Sequence, residues 1–325
     1  MKKFRFLYIA ATALLLAACA NEEDGIGNSS SVAATVRADI ANSIKARGTA
    51  DNNSWTTGDA IGVYVTSTGN TTGTNVKYEY SETGDFVSAN PIYFKDEHEQ
   101  DFSAYYPYID DQNNDKIDED GWLVDGWTID YSNPDRTLDY DFLFAYGATA
   151  KKASPLVQFT DMNVVGETLP EKDHRFKHKM SMVVFKIIAG VGIESSKSNL
   201  QSITLDKIMT QGQINLKNGS TATTGTASRQ TIPVTGLLDQ ERVCQFILFP
   251  QKFDGNMLNI TLRVKYNEDI YNDYTTSIPL PEGFESGNKY IYTIRVKNTS
   301  IEIGDVSITS WGIGADNERL DADME

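Results

Sequence analysis

From about residue 32 onward, apolar and polar positions alternate with a period of two, and each run is bounded by Gly, Asn, Asp, Ser or Pro. That spacing predicts strands separated by turns, and no long stretch carries the three-to-four spacing of a helix. The cleanest run sets Leu258, Ile260, Leu262, Val264 and Tyr266 against Asn259, Thr261, Arg263 and Lys265, a strand with one buried face. Tyr290, Tyr292, Ile294 and Val296 repeat the pattern. Met180 to Ile188 and Val243 to Phe249 are apolar on both faces and read as central strands. In the first half the predicted strands are Ile61 to Val65, Val76 to Tyr80, Ile92 to Phe94, Phe102 to Tyr106 and Phe142 to Tyr146. A polar, Pro-containing stretch, Leu169 to Arg175, separates the two sets. The expected fold is all-β, with two tandem β-sandwich domains over residues 32–174 and 175–325. No internal repeat points to a solenoid or propeller.

The first 31 residues break the pattern. Lys2, Lys3 and Arg5 precede an apolar run from Phe6 to Leu16, too short and wrongly flanked for a membrane span but correct for a secretory signal over residues 1–18. Leu16-Ala17-Ala18-Cys19 resembles a bacterial lipobox, which implies an acylated Cys19 as the first mature residue, held to a membrane by its lipid chains. An ordinary cleaved signal that happens to contain a cysteine is the other reading. Residues 19–31, with Glu22-Glu23-Asp24 and a run of small residues, read as a flexible tether. The acidic cluster resembles the signal that exports lipoproteins of Bacteroidetes to the cell surface; a plain soluble linker explains it equally. The formal charge of −16 makes nucleic acid and anionic lipid poor partners. The second cysteine, Cys244, lies in an apolar run and reads as a small buried side chain, so no disulfide is expected.

The segment Val32, Ala34, Val36, Ala38 and Ile40 alternates strictly with Ala33, Thr35, Arg37 and Asp39, an edge or near-edge strand. It is followed by the polar run Lys45 to Ser54, in which Arg47 precedes Gly48. Such a run suits a trypsin-like protease. Cutting after Arg47 would free the strand and leave an apolar groove edged by unpaired backbone groups, a template for strand addition. Taken alone, the same residues fit an ordinary surface loop.

Ala46-Arg47-Gly48, Trp55 to Tyr64, and Phe102 to Tyr108 together resemble the fimbrillin family of type V pilus subunits from Bacteroidetes. His178 to Ile187, Tyr290 to Val296 and Ile308-Thr309-Ser310-Trp311 agree with it. The resemblance implies two transthyretin-like sandwiches and an outer-membrane lipoprotein precursor. It further implies that an arginine-specific protease cuts at Arg47 and Gly48, so that the strand Val32 to Ile40 leaves and another pilus subunit's strand replaces it. The expected setting is the cell-surface fimbrium, with adhesion to host or bacterial surfaces, no cofactor and no enzymatic activity. The acidic tail from Gly312 to Glu325 makes a weak donor strand, whereas Ile301 to Ile303 and Val306 to Ile308 alternate better around Gly304-Asp305. The competing expectation is a lipoprotein that never polymerises and captures glycans or host proteins through its loops.

Other chemistry is sparse. Asp111, Asn113 and Asp115 occupy alternate positions of an acidic loop, as a calcium loop requires, but Lys116 and Trp122 stand where that loop needs glycine and glutamate. A solvated hairpin loop is the simpler reading. His174 and His178 are four apart, a ligand spacing on a helix but not on a strand. No Gly-x-Ser-x-Gly elbow or phosphate loop is present. Trp122, Trp127 and Tyr131 read as core of the first sandwich, or as sugar-stacking aromatics if exposed.

Overall fold

A computed structural model describes residues 31–41, 54–110, 117–267 and 270–311. In chain order the first strands are β1 (Val32–Ala33), β2 (Thr35–Ala38), β3 (Ala60–Val65), β4 (Val76–Tyr80), β5 (Phe86–Val87), β6 (Tyr93–Phe94), β7 (Gln100–Tyr106), β8 (Leu123–Thr128), β9 (Leu143–Ala150), β10 (Leu156–Phe159) and β11 (Lys177–His178). They are followed by β12 (Ser181–Ala189), β13 (Asn199–Ile208), β14 (Gln211–Asn215), β15 (Thr221–Thr224), β16 (Ser228–Leu237), β17 (Arg242–Leu248), β18 (Met257–Asn267), β19 (Ile270–Pro279), β20 (Asn288–Val296) and β21 (Ile301–Ser310). Helical structure among the described residues is limited to short 3-10 segments, the longest being Pro134–Tyr140. The molecule is all-β, as the period-two pattern predicts.

The first half builds an eight-stranded sheet ordered β10-β2-β5-β4-β3-β7-β9-β11. Strands β3 and β7 are buried on both faces along most of their length. Ile61, Val63, Phe102, Ala104 and Leu143 face a cluster shared with the N-terminal strand, while Tyr64, Tyr105, Phe142 and Phe144 join a second cluster that runs into the second half. Gly62 sits where a Cβ would strike the Tyr105 ring and approach Asn75 Oδ1 to 2.6 Å, so only glycine lets β3 lie against that aromatic layer.

In the second half, the sheets β17-β12-β20-β21 and β16-β13-β18-β19 enclose one core. Leu258, Ile260, Leu262 and Val264 are fully buried, and the Thr261 side of β18 faces outward, where Thr261 and Thr275 share a hydrogen bond of 2.9 Å. A third sheet, β15-β14-β8, takes β8 from the first half.

Two expectations are corrected. β17 is a sheet edge, not a central strand. Its outer carbonyls are covered instead by the 3-10 segment and its approach: the Tyr131 hydroxyl donates to Ile247 O at 2.8 Å, and Thr137 Oγ1 donates to Gln245 O at 3.1 Å. An edge covered in this way keeps apolar residues on both faces, which is why its sequence mimics an interior strand. Trp127 and Tyr131 are buried, as read, but in the cluster that holds Phe246 and Phe249 of the second half, not in a core private to the first sandwich.

The end of the last described strand is fixed by aromatic stacking. Trp311 lies 4.1 Å from the His178 ring at an interplanar angle of 5°, and its backbone N–H donates to Gly287 O at 2.7 Å. The same imidazole meets Asp141 Oδ2 through Nδ1 at 2.8 Å, with both side chains out of solvent. Because Trp311 is fully buried, Trp311→Ala should cost about 3–5 kcal/mol in urea unfolding, and a loss below 1 kcal/mol, roughly the scale of a surface change, would show that the stack carries no load.

Candidate strand-exchange site

The N-terminal strand lies second from the sheet edge. β2 runs parallel to β10, with Thr35 opposite Leu156 and Ala38 opposite Phe159, and antiparallel to β5, with Val36 opposite Phe86. Main-chain bonds extend the pairing at both ends: Ala34 N–H donates to Ile92 O at 2.7 Å, Thr35 N–H to Pro155 O at 3.0 Å, and Asp39 N–H to Phe159 O at 2.9 Å. Beyond the strand, Phe176 N–H donates to Asp39 O at 2.9 Å and Ala41 N–H to Phe176 O at 2.7 Å.

Side-chain alternation follows from this pairing. Ala34, Val36, Ala38 and Ile40 are buried at 0–4% exposure, among Tyr78, Phe86, Phe94, Val157, Phe159 and Phe176. Val32, opposite Phe94 in β1, is half-buried. Thr35, Arg37 and Asp39 face solvent, where Arg37 Nε meets Asp85 Oδ1 at 3.0 Å. Burial of Val36 and Ile40 contributes about 1.5–3 kcal/mol each, whereas the two alanines contribute far less.

Two side chains bind the strand's own backbone. Trp55 Nε1 donates to Ala38 O at 2.8 Å, and its ring makes edge contacts with Phe86, Tyr106 and Phe176 at 5.1–5.4 Å. The motif around Trp55 supplies its support: Asp59 accepts the Thr56 N–H at 2.7 Å and the Tyr106 hydroxyl at 3.2 Å. Gly58, at φ +97°, makes the turn that this arrangement requires. Tyr78 is the second clamp. Its hydroxyl donates to Ala34 O at 3.3 Å and accepts the Ile92 N–H at 3.0 Å. Trp55 and Tyr78 clamp the strand although alternation does not reveal them; the signal available for Trp55 is its place in the Trp-Thr-Thr-Gly-Asp turn.

The other predicted site residues stand apart. Cys19, Arg47 and Gly48 lie outside the described residues, as do Asp111, Asn113 and Asp115. Asp118, at the end of that loop, spends its Oδ1 on the backbone N–H groups of Trp122 and Leu123, at 2.7 and 2.9 Å. His174 is at the surface beside Tyr146 O, and His178 is buried against Trp311. Among the described residues no group of three or more His, Cys, Asp or Glu side chains could hold a metal ion. Cys244 is buried, and burial pushes its thiol up to about 11.

The Fimbrillin-like family profile matches residues 47–311, and the chain belongs to that family. A Bacteroides uniformis protein named "Putative fimbrium subunit Fim1C" is 27% identical to it, over 97% of each chain. Two crystal structures share the fold. A "putative cell adhesion protein" of Bacteroides uniformis superposes with a TM-score of 0.62 at 24% identity, over 86% of this chain and 99% of that one. Another, from Bacteroides ovatus, gives 0.60 at 23%, over 86% and 96%.

Tyr78 gives this site a measurable pH signature. Burial raises its phenol from 10.0 to about 12, so the folded state retains a proton that the unfolded chain releases. Its contribution is fully present below pH 10 and is lost as the pH rises through about 12. Denaturant midpoints should fall over that window in the native protein and fall less in Tyr78→Phe, which should also lose about 1 kcal/mol at neutral pH. Parallel pH profiles for the two proteins would contradict the assignment.

Proposed function

We propose that the chain is a surface-anchored fimbrillin-like pilus subunit, a structural protein rather than an enzyme, that assembles by protease-triggered strand exchange and mediates adhesion. Acylated Cys19 holds the precursor to the outer membrane. An arginine-specific protease then cuts between Arg47 and Gly48, and the segment carrying Val32, Ala34, Val36, Ala38 and Ile40 leaves. In this reading the two sandwich domains meet near residue 175.

The observation that carries the reading is the chemistry of the slot. The departing strand is held by main-chain bonds on both sides and by only two large apolar side chains, Val36 and Ile40. Once it is gone, the amides and carbonyls of β5 and β10, and the rings of Phe86, Phe94, Phe159 and Phe176, would face water. Such a surface favours another strand, with backbone bonds giving affinity and apolar pockets giving register.

β21 has the complementary character. It is an edge strand paired with β20, and its Ile301, Ile303, Val306 and Ile308 share one face with Val296, Ile294, Tyr292 and Tyr290. Val306 and Ile308 are 50% and 56% exposed. A strand with β-branched residues at alternate positions would bury more apolar surface in the slot than one that offers alanine at two of them, set against the loss of its own pairing with β20.

The test is Arg47→Ala. Protease treatment should convert the native protein into multimers whose subunits begin at Gly48, and should leave Arg47→Ala folded, uncut at that position and without such multimers. Multimers of the variant after treatment would contradict the mechanism. Native protein that resists cutting at Arg47, and binds glycan as an intact monomer, would support a non-polymerising lipoprotein instead.

A further inference from the structure

The five residues Phe176–Met180 follow the polar run that ends at Arg175, and they alternate: Phe176, His178 and Met180 are buried, Lys177 and Lys179 half-buried. This short stretch touches two segments that are far apart in the chain. At one end both main-chain groups of Phe176 go to the N-terminal segment, the N–H donating to Asp39 O at 2.9 Å and the carbonyl accepting the Ala41 N–H at 2.7 Å. The Phe176 ring lies 5.1 Å from Trp55 and 5.7 Å from Phe159, within the cluster under the strand slot. Two residues on, the His178 ring carries Trp311, just past the end of β21, at 4.1 Å. At the other end Met180 O accepts the Gly287 N–H at 2.8 Å, and Gly287 O accepts the Trp311 N–H at 2.7 Å. Gly287 has φ +75°, and a Cβ there would come within 3.0 Å of His178 O, so glycine lets the turn close on the stretch.

Little else fixes these residues. β11, which lies among them, is a two-residue strand at the edge of its sheet, paired with β9. Departure of the N-terminal segment strips Phe176 of both main-chain bonds at once. The Trp311 side chain, in turn, makes no polar bond: its indole N–H is buried without a hydrogen-bond partner among the described residues, as is Oδ1 of Asp141, whose other oxygen holds His178. The indole therefore rests on the imidazole, and the backbone between Phe176 and Met180 sets where that imidazole lies. Close-packed side chains pass a displacement on to their neighbours. Ala41 and Trp311 line one cavity of about 280 Å³, which gives the indole room to move.

We propose that Phe176–Met180 couples occupancy of the strand slot to the seating of Trp311, so that departure of the N-terminal segment loosens the end of β21. The use of this coupling rests on the strand-exchange reading: the step that opens the slot also releases the strand whose character suits it. While the segment is in place, the same joint keeps the end of β21 paired with β20. The two sites bias one short element through direct contacts, and such coupling is reciprocal, so unseating Trp311 weakens the hold on the N-terminal segment by the same free energy.

The experiment uses the full, uncut chain and amide hydrogen exchange. The amide at position 311 reads the seat, and the Leu262 amide, in the central strand β18, reads global opening. Ile40→Ala should speed exchange at position 311 about fivefold more than at Leu262; Ile40→Val, a milder change that keeps the strand packed, should act in the same direction. Trp311→Phe should likewise speed exchange of the Ala41 N–H beyond that of Leu262. In the double variant, exchange at position 311 should fall about fivefold short of the product of the two separate effects. Exchange at position 311 that only follows Leu262 in the Ile40 variants, or a double variant that shows the plain product, would overturn the coupling. Either result leaves strand exchange itself standing, because nothing is cut in this experiment.

Discussion

A strand slot inside a sheet cannot stand empty. Every amide and carbonyl that faced the missing strand must find a partner, and each buried group left without one costs about 1–3 kcal/mol. In this chain the slot lies between β5 and β10 and is filled by the chain's own N-terminal segment, whose backbone is paired from Ala34 to Ala41. Everything beneath it, including Phe86, Phe94, Phe159 and Phe176, stays dry only while some strand occupies that position.

The filling strand is well bonded yet lightly packed. Its hydrogen bonds are generic and available to any extended chain, whereas its side chains commit only Val36 and Ile40 to the deep pockets. Trp55 and Tyr78 likewise grip carbonyls, at Ala38 and Ala34, rather than particular side chains. A site built on backbone recognition tolerates a change of occupant.

Much of this was legible in the sequence because alternation reports burial directly. Val32 to Ile40, Leu258 to Tyr266 and Tyr290 to Val296 each show which side chains face inward, and the structure buries those faces, Val32 and Tyr266 only in part. Long-range partners are not written that way. Nothing local in Val243 to Phe249 distinguishes an interior strand from an edge covered by Thr137 and Tyr131, more than a hundred residues earlier in the chain. Tyr78 reads as an ordinary strand aromatic and Phe176 falls in no predicted strand, until the fold brings both to the same segment. The Trp-Thr-Thr-Gly-Asp turn was visible as a motif, but its purpose, supporting Trp55 over the strand's end, appears only in three dimensions.

Hydrogen exchange at the slot's own amides reads the central claim most directly, because Phe176 N–H, Trp55 Nε1–H and the β10 amides are protected only while the slot is full. The account predicts protection in the precursor, rapid exchange in cut protein from which the segment 32–41 has been lost, and restored protection in the polymer. Protection that persists unchanged through all three states, with the original segment still bound in the polymer, would contradict it.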